Sequence, residues 1–322
     1  MTASRKQCRN RPRGFTLIEL AVVLSILGIA GAAIGMTLLR QQRFYRGASE
    51  LMYSRQSVRD AIELLSTDIR GASVTDTVRL LADSAIELFT NIGSSVLCQS
   101  SGSEVGLPGA APAPGNTLSA FLFEPDTGDI ALFYGDSTEG TGGDSTGSVS
   151  RWERHRIEVF SRRLLASACP ASAAFAPSGD LSGNGATGFV MTLRAPLSQH
   201  VGAGAPVRFV RRGRYSLYKA SDGDWYLGYR RCNAEGPRAC GVVQPLSGPY
   251  RPYSPDSHLT GLLFEYFDAQ GTRLGAGASP LAVARVDITA RAQSSQRLLI
   301  EGRSWTPRDS ATLSIAVRNG LR

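Results

Sequence analysis

The fold is decided by Phe15–Leu39, which reads FTLIELAVVLSILGIAGAAIGMTLL. This 25-residue stretch contains one ionisable side chain, Glu19. A helix rises about 1.5 Å per residue, so the stretch is long enough to cross the hydrocarbon core of a bilayer. It is too long for the apolar core of an ordinary secretory signal, and no small-x-small cleavage site follows it. The sequence therefore predicts a transmembrane helix over 15–39.

Positive charge is concentrated just before this segment. Residues 1–14 hold five Lys or Arg residues and no acid, out of a formal net charge of +8 for the 322-residue chain. Cationic flanks of membrane helices stay in the cytoplasm. We therefore expect a cytoplasmic leader over 1–14 and an extracytoplasmic remainder. That remainder is only weakly basic, so the charge is no sign of a DNA-binding head.

Helical periodicity continues beyond the membrane segment. No proline interrupts residues 15–72, and charged residues fill the positions between one apolar stripe. This pattern predicts an amphipathic continuation of the helix over 40–72, with Gly71 as its stop. The whole helix would have roughly 55 residues. The stripe consists of Leu51, Val58, Ile62, Leu65 and Ile69.

Beyond Gly71 the pattern is typical of strands, because short apolar, β-branched or aromatic runs alternate with Gly, Ser, Asp and Pro clusters. Asp222-Gly223 predicts a hairpin turn. Residues 100–116 and 135–150 predict long surface loops. The predicted fold class is α+β, a long N-terminal helix packed on a large antiparallel β-rich head over 73–322. The predicted strands are Ala85–Phe89, Leu118–Phe123, Ile130–Tyr134, Arg156–Phe160, Phe189–Leu193, Val207–Tyr218, Trp225–Arg230, Leu259–Phe267, Leu281–Ala290 and Thr312–Val317.

Four of the five cysteines lie in the predicted extracytoplasmic part, which suits an oxidising compartment. Four cysteines allow three pairings. Cys232 and Cys240 are close in sequence and favour one pair, which leaves Cys98 and Cys169 as the other. Free buried thiols are the alternative. None of the spacings is the C-x-x-C of a zinc site.

The junction Arg13-Gly14-Phe15-Thr16-Leu17-Ile18-Glu19-Leu20 resembles the processing site of type IV prepilins and type II secretion pseudopilins. The resemblance implies cleavage by prepilin peptidase between Gly14 and Phe15 and N-methylation of Phe15. Gly28 also matches a glycine common in these membrane helices. The implied partners are the peptidase, the inner membrane and other pilin or pseudopilin subunits. The implied location is the inner membrane, with the head in the periplasm, and then the filament.

Glu19 invites a physical explanation, because a carboxylate costs about 2.5–3.5 kcal/mol at the centre of a bilayer and normally has a partner there. Cleavage after Gly14 would create the α-amine of Phe15. The amine of a neighbouring subunit would then neutralise Glu19 and set the axial register of assembly. The alternative is an interfacial carboxylate that reaches the lipid headgroups.

Gly28, Gly31 and Gly35 lie close together in the apolar segment. Small residues of this kind permit close helix–helix packing in membranes. The alternative is the ordinary tolerance of membrane helices for glycine.

Further features resemble minor subunits of these filaments. Many major pilins carry a proline where this chain has Met36, and the head is larger than is usual for a major subunit. LLSTDIRGA, LYKASDGDWYLGYRR, GLLFEYFDAQG and SIAVRNG look like PilW-type minor pilins and, next, GspJ-type minor pseudopilins. The resemblance implies a structural, priming subunit of a type IV pilus. A secretion pseudopilin and a tip adhesin or DNA-uptake subunit are the alternatives.

An enzyme is not expected. Gly135-Asp136-Ser137 is similar to the nucleophile block of GDSL hydrolases, but Asp256 and His258 have the wrong spacing for its acid and base. Gly143–Gly147 fits G-x-S-x-G within a Gly/Ser/Thr loop that no strand precedes.

No cofactor is expected either, although structural calcium stays open. Asp180 and the pair Asp126 and Asp129 lie in acidic loops without a full set of oxygen ligands. Arginine clusters within 151–163 and 208–214 favour a solvated sheet face over nucleic-acid binding.

Overall fold

The computed structural model describes residues 16–72, 80–109, 118–137, 149–169, 187–233, 240–275, 277–300 and 303–317. They form one long helix and a large antiparallel β-sheet domain, which confirms the α+β class. The leader and the Phe15 end of the membrane segment lie outside the described residues.

Helix α1 is continuous over the 55 residues Leu17–Gly71, as the sequence predicts. Its N-terminus is capped by Thr16, whose side chain accepts a hydrogen bond from the Glu19 backbone nitrogen at 3.3 Å. At the other end Ala72 leaves helical geometry with ψ of 134°. The helix is exposed from Leu17 to Arg46 except at half-buried Gly35, and its buried residues lie between Ser54 and Ile69.

The head contains seventeen described strands, a short helix α2 at Leu165–Ala168 and a 3₁₀ turn at Pro280–Ala282. Every described strand pair is antiparallel. The strands are β1 Leu80–Leu81, β2 Ala85–Val96, β3 Gln99–Ser101, β4 Glu104–Leu107, β5 Ala120–Phe121, β6 Ile130–Ser137, β7 Val149–Leu164, β8 Thr187–Leu193, β9 Pro206–Lys219, β10 Trp225–Arg231, β11 Gln244–Tyr250, β12 Leu262–Phe267, β13 Arg273–Leu274, β14 Arg285–Gln293, β15 Leu298–Ile300, β16 Arg303–Trp305 and β17 Arg308–Ala316.

Fifteen of these strands belong to one sheet, whose main path runs β13-β12-β14-β11-β10-β9-β6-β7-β8-β4-β3. Strand β17 pairs with β14, and β2 pairs with β9 across more than one hundred residues of sequence. The β9–β10 hairpin turns at the predicted Asp222-Gly223, where Gly223 has φ of +92°, a value that favours glycine. Strands β15 and β16 form a separate two-stranded sheet.

The described residues contain three apolar clusters, the smallest of them around Phe89 and Val210. The first lies between the second half of α1 and the sheet, where Val58, Leu65 and Ile69 pack with Phe264 and Ile288. The second lies within the sheet domain around Phe133, Phe189 and Phe209. Only the first contains residues of α1, so it is the apolar cluster that packs the helix on the head.

Several predicted strand boundaries are wrong. The predicted loop 100–116 contains β4, whose Val105 and Leu107 are fully buried, because long-range pairing with β8 overrides the Gly- and Pro-rich surroundings. Strand β11 was not expected, since its sequence QPLSGPY reads as a turn. Three predicted strands are shorter or start later than expected. They are Leu118–Phe123, of which only Ala120–Phe121 pairs, Leu259–Phe267, which starts at Leu262, and Leu281–Ala290, which starts at Arg285.

Leu65 tests the helix–head core. The side chain is fully buried, so Leu65→Ala should lower the free energy of unfolding by about 2–5 kcal/mol through lost contacts and a cavity. The measurement is denaturant unfolding of the detergent-solubilised chain, followed by circular dichroism. Met52→Ala, at a position 69% exposed on the same helix, is the matched control and should stay within about 0.5 kcal/mol of the wild type. Equal losses in both variants would contradict this packing.

Candidate functional site

The first half of α1 presents an uninterrupted apolar surface. The most apolar part of the helix is not buried inside the chain at all. By length and composition, α1 is the one described helix that could cross a membrane. The hydrophobic effect requires such a surface to be covered by lipid or by other helices. The exposed large side chains are Leu17, Ile18, Leu20, Val22, Val23, Leu24, Ile26, Leu27, Ile29, Ile34, Met36, Leu38 and Leu39.

The start of α1 places Glu19 one turn inside the helix. Thr16 is the N-cap and Glu19 is the third helical residue, which is the spacing of a capping box. A carboxylate at this position is favoured by the positive end of the helix dipole. The capping role of Thr16 was not predicted from the sequence, although the Thr-x-x-Glu spacing signals it. Gly14 and Phe15 lie outside the described residues.

The three glycines of the apolar segment share one helix face, because steps of three and seven residues return to the same side. A methyl group added at Gly28, Gly31 or Gly35 would meet no atom of the chain within 4 Å. This face is therefore open to an external partner. The hydroxyls of Ser25 and Thr37 donate to carbonyls four residues back, which satisfies them without water.

The comparison with protein families supplies the decisive match. Residues 9–35 match the model described as "Prokaryotic N-terminal methylation motif". The N-terminal segment is that of a type IV prepilin-like protein. The motif spans the predicted cleavage junction and continues through the apolar part of α1 to Gly35. Comparisons with curated proteins and with solved structures gave no match.

In this prepilin-like chain, hydrogen bonds reinforce the attachment of α1 to the head. Tyr215 on β9 donates its hydroxyl to the Asp68 carboxylate. Nearer the membrane segment, Ser57 donates to the Gly248 carbonyl at 2.7 Å, and Tyr250 donates to the Ser57 carbonyl at 2.6 Å. Burial raises the pKa of Asp68, against the opposing effect of the Tyr215 hydrogen bond. Burial, followed by the Asp68 charge, raises the pKa of Tyr215.

Two disulfides brace the head. Cys98 is bonded to Cys169, and Cys232 is bonded to Cys240, so the four cysteines take the favoured pairing. The two bonds span sequence separations of 71 and 8 residues. The first joins the end of β2 to the end of α2, and the second closes the loop that follows β10.

Arginines of the predicted basic clusters form ion pairs inside the head. Arg212 and Arg214 both bind the buried carboxylate of Glu87, at 2.7 and 2.8 Å. Arg211 and Arg231 bind Asp129 at 2.7 and 3.1 Å. These groups brace β2, β6, β9 and β10, and they leave less free charge for nucleic acid than the sequence suggests.

The same pairing bears on the calcium alternative, because Arg231 also binds Asp126 at 2.9 Å and lowers its pKa. Both carboxylates of that loop are therefore neutralised by the chain itself. Asp180 lies outside the described residues. Glu87 lies near Cys232 and Cys240, but both sulfurs belong to the disulfide, so the group offers no thiolate ligand.

The hydrolase-like motif is part of a regular strand. Gly135-Asp136-Ser137 forms the end of β6 and pairs with β7, instead of the sharp turn that exposes a nucleophile. His258 donates its backbone N–H to the Asp256 side chain in an exposed turn. The segment 143–147 lies outside the described residues.

Loop length predicts unequal contributions from the two disulfides. Replacing Cys98 and Cys169 by serine should lower the free energy of unfolding by about 4 kcal/mol, because the unfolded chain regains the freedom of the longer loop. The pair Cys232→Ser and Cys240→Ser should cost only about 2.5 kcal/mol. Urea unfolding of the full chain in detergent under oxidising conditions measures both. A larger loss for the shorter loop would contradict the entropic argument.

Asp68 predicts a pH effect of defined sign. Its pKa is raised in the folded chain, so the folded state binds a proton more readily than the unfolded state. This group therefore adds stability as the pH falls from neutral through its folded pKa towards its ordinary value of 3.8. In Asp68→Asn that increment disappears. Melting temperatures of both proteins between pH 7 and pH 4 should diverge towards acid, with the wild type gaining relative to the variant; a constant difference would refute it.

Proposed function

We propose that this chain is a minor pilin, a structural and priming subunit of a type IV pilus filament. It would be processed by prepilin peptidase after Gly14 and N-methylated at Phe15. One observation carries the proposal. The methylation motif at residues 9–35 coincides with the half of α1 that the chain leaves entirely exposed, while the other half is fixed to a folded head.

The exposed half of α1 needs two environments in turn. Before assembly, lipid covers its apolar side chains, with the N-terminus cytoplasmic and the head periplasmic. In a filament, the apolar helices of other pilin subunits replace the lipid. The open face at Gly28, Gly31 and Gly35 supports this exchange, because small residues allow helices to approach closely.

Glu19 provides the specificity of that exchange. In a packed bundle of apolar helices, apolar contacts alone favour no single axial position of one helix relative to its neighbours. A carboxylate within the bundle requires a counter-charge. In this proposal the α-amine of Phe15 from a neighbouring subunit supplies the charge, so one axial position is favoured over others. Cleavage after Gly14 is required first, since it creates the amine.

The size of the head supports a minor subunit. Fifteen strands and two disulfides build a domain that begins after Gly71. A bulky head suits a position at or near the tip, where fewer neighbours surround it than in the shaft. In this proposal the filament is a type IV pilus. The alternative from the sequence is that the filament is the pseudopilus of a type II secretion system.

Glu19→Ala tests the assembly step. Mass spectrometry should find Phe15 as the methylated N-terminus in both wild type and variant, because the cleavage junction is intact. Only the wild type should then appear in sheared filaments, and the variant should stay in the membrane fraction. We expect incorporation to fall at least about tenfold, because loss of the charge pair should cost more than about 1.4 kcal/mol.

Glu63→Ala is the matched control, because Glu63 is an exposed acid in the head-bound half of the same helix. It should be processed and incorporated normally. Recovery of residues 1–14 in the assembled wild-type protein would refute the proposed function. Normal incorporation of Glu19→Ala would refute only the role of that carboxylate. Cells that incorporate the chain should carry either surface pili or a periplasmic pseudopilus. The type of filament observed identifies the one to which the chain belongs.

A further inference from the structure

The turns of α1 that follow the apolar segment are cationic and aromatic. Arg40, Arg43 and Arg46 are exposed, and Phe44 and Tyr45 between them are 73% and 67% exposed. Within the described part of the chain, no carboxylate forms an ion pair with any of the three arginines. Arginine and tyrosine are residues that settle at the headgroup level of a membrane.

Helix geometry turns part of this segment towards the head. Arg40 lies eighteen residues before buried Val58, and an α-helix completes about five full turns over that distance. Arg43 lies eleven residues before buried Ser54, which is about three turns. Both arginines therefore belong to the side of α1 on which the head is built. They lie beneath the head, between it and the apolar segment.

Strands β14 and β17 bring a hairpin to α1 at Glu50, just above these arginines. Tyr250, paired with Ala292 on β14, binds the Ser57 carbonyl of α1. Two residues further along, Ser294 donates its hydroxyl to the Glu50 carboxylate at 2.5 Å. Strand β14 thus descends along α1 towards the membrane segment. Glu50 is only about 16 Å above Leu39 along the helix.

The part of the hairpin beyond this contact is called the tip, and its described residues are 295–300 and 303–306. Its base is closed by the Ser294 backbone N–H, which donates to the Pro307 carbonyl at 2.9 Å. The small sheet β15–β16, with three residues in each strand, forms beyond this base. Arg297 is exposed and Trp305 is 42% exposed in this tip. Both residues therefore belong to the hairpin that Ser294 attaches to Glu50 of α1.

The base of the head is also rich in positive charge. Arg308 begins β17 beside the tip, and Arg251 lies near both Arg308 and Arg291. Burial, and then these two like charges, lowers the pKa of Arg251. Its Nε is buried without a hydrogen-bond partner among the described residues. Among the described residues the acids at this end are Glu50, which binds Ser294, and half-buried Asp309, while Glu301 of the hairpin lies outside the described residues.

We propose that these features form one basal surface that binds the headgroups of anionic phospholipids in the membrane crossed by α1. The surface would hold the head upright on the membrane until the subunit enters a filament. The basal surface consists of Arg40, Arg43, Phe44, Tyr45, Arg46, Arg297, Trp305 and Arg308.

Lipid is the occupant favoured by continuity and charge. The surface starts one residue after the apolar segment, so membrane insertion necessarily brings Arg40 and Arg43 to the headgroup region. Arginine forks match phosphate, and the long side chains reach back along the helix to the interface. The inference rests on the membrane anchoring of the proposed function, and it adds a role for the head that anchoring alone does not require.

The test uses the full-length chain in nanodiscs of phosphatidylcholine alone or with phosphatidylglycerol. Hydrogen–deuterium exchange of residues 295–306 and quenching of Trp305 emission by headgroup-proximal brominated lipid report contact with the surface. Trp305→Phe identifies the signal of that tryptophan against Trp152 and Trp225. Phosphatidylglycerol should slow exchange and increase quenching. One arginine near a charged surface contributes about a fivefold effect, so the triple variant Arg40→Gln, Arg43→Gln, Arg46→Gln should lose most of the response.

The matched control is Arg55→Gln with Arg59→Gln, two exposed arginines higher on the same helix, and it should respond like the wild type. An equal response in both lipids, or equal losses in both variants, would overturn the proposal. Protection of residues 295–306 only when other pilins are co-assembled would assign the surface to protein contacts instead and would also overturn it. Failure of α1 to insert at all would remove the proposed function together with this inference, so the two failures are distinguishable.

Discussion

The apolar half of α1 is a surface that this chain cannot bury by itself. Fully burying one large aliphatic side chain contributes about 1.5–3 kcal/mol, and more than ten of them are exposed between Leu17 and Leu39. The helix is continuous to Gly71, so this half cannot fold back onto the head without breaking it. A membrane or a bundle of similar helices must complete the molecule. Membrane anchoring and filament assembly are two solutions to the same constraint.

The continuity of α1 also makes the head and the anchor one mechanical unit. The core around Leu65 and Ile69 fixes the second half of the helix, and polar contacts from Glu50 to Asp68 follow the same side of it. The second core and the longer disulfide lie farther from α1 and stabilise the sheet domain itself. A head attached in this way transmits its position to the apolar segment, as register between neighbouring subunits requires.

The sequence predicts well the features that depend on local pattern. A single helix, the Asp222-Gly223 hairpin and most strands follow from periodicity and turn chemistry. It fails where distant residues decide the outcome. Strand β4 is buried because β8 pairs with it, and Glu87 is buried because Arg212 and Arg214, more than 120 residues later, neutralise it. At the candidate site, the local motif is enough to predict the cleavage junction and a role for Glu19, whereas the proposed basal surface depends on the descent of β14 along α1.

The apolar segment has positive charge on both sides, so removal of the leader by processing would change the balance of charge between the two sides. The leader has five cationic residues within 1–14, and Arg40, Arg43 and Arg46 follow the segment on the other side. In the proposed topology, the larger charge of the leader would fix the orientation and hold the N-terminus at the cytoplasmic face until cleavage. Cleavage after Gly14 would remove that restraint and leave the basal surface as the remaining electrostatic contact with lipid. Extraction towards the periplasmic side then requires the release of three arginines from headgroups, while the new amine of Phe15 and Glu19 move as a nearly neutral end through hydrocarbon.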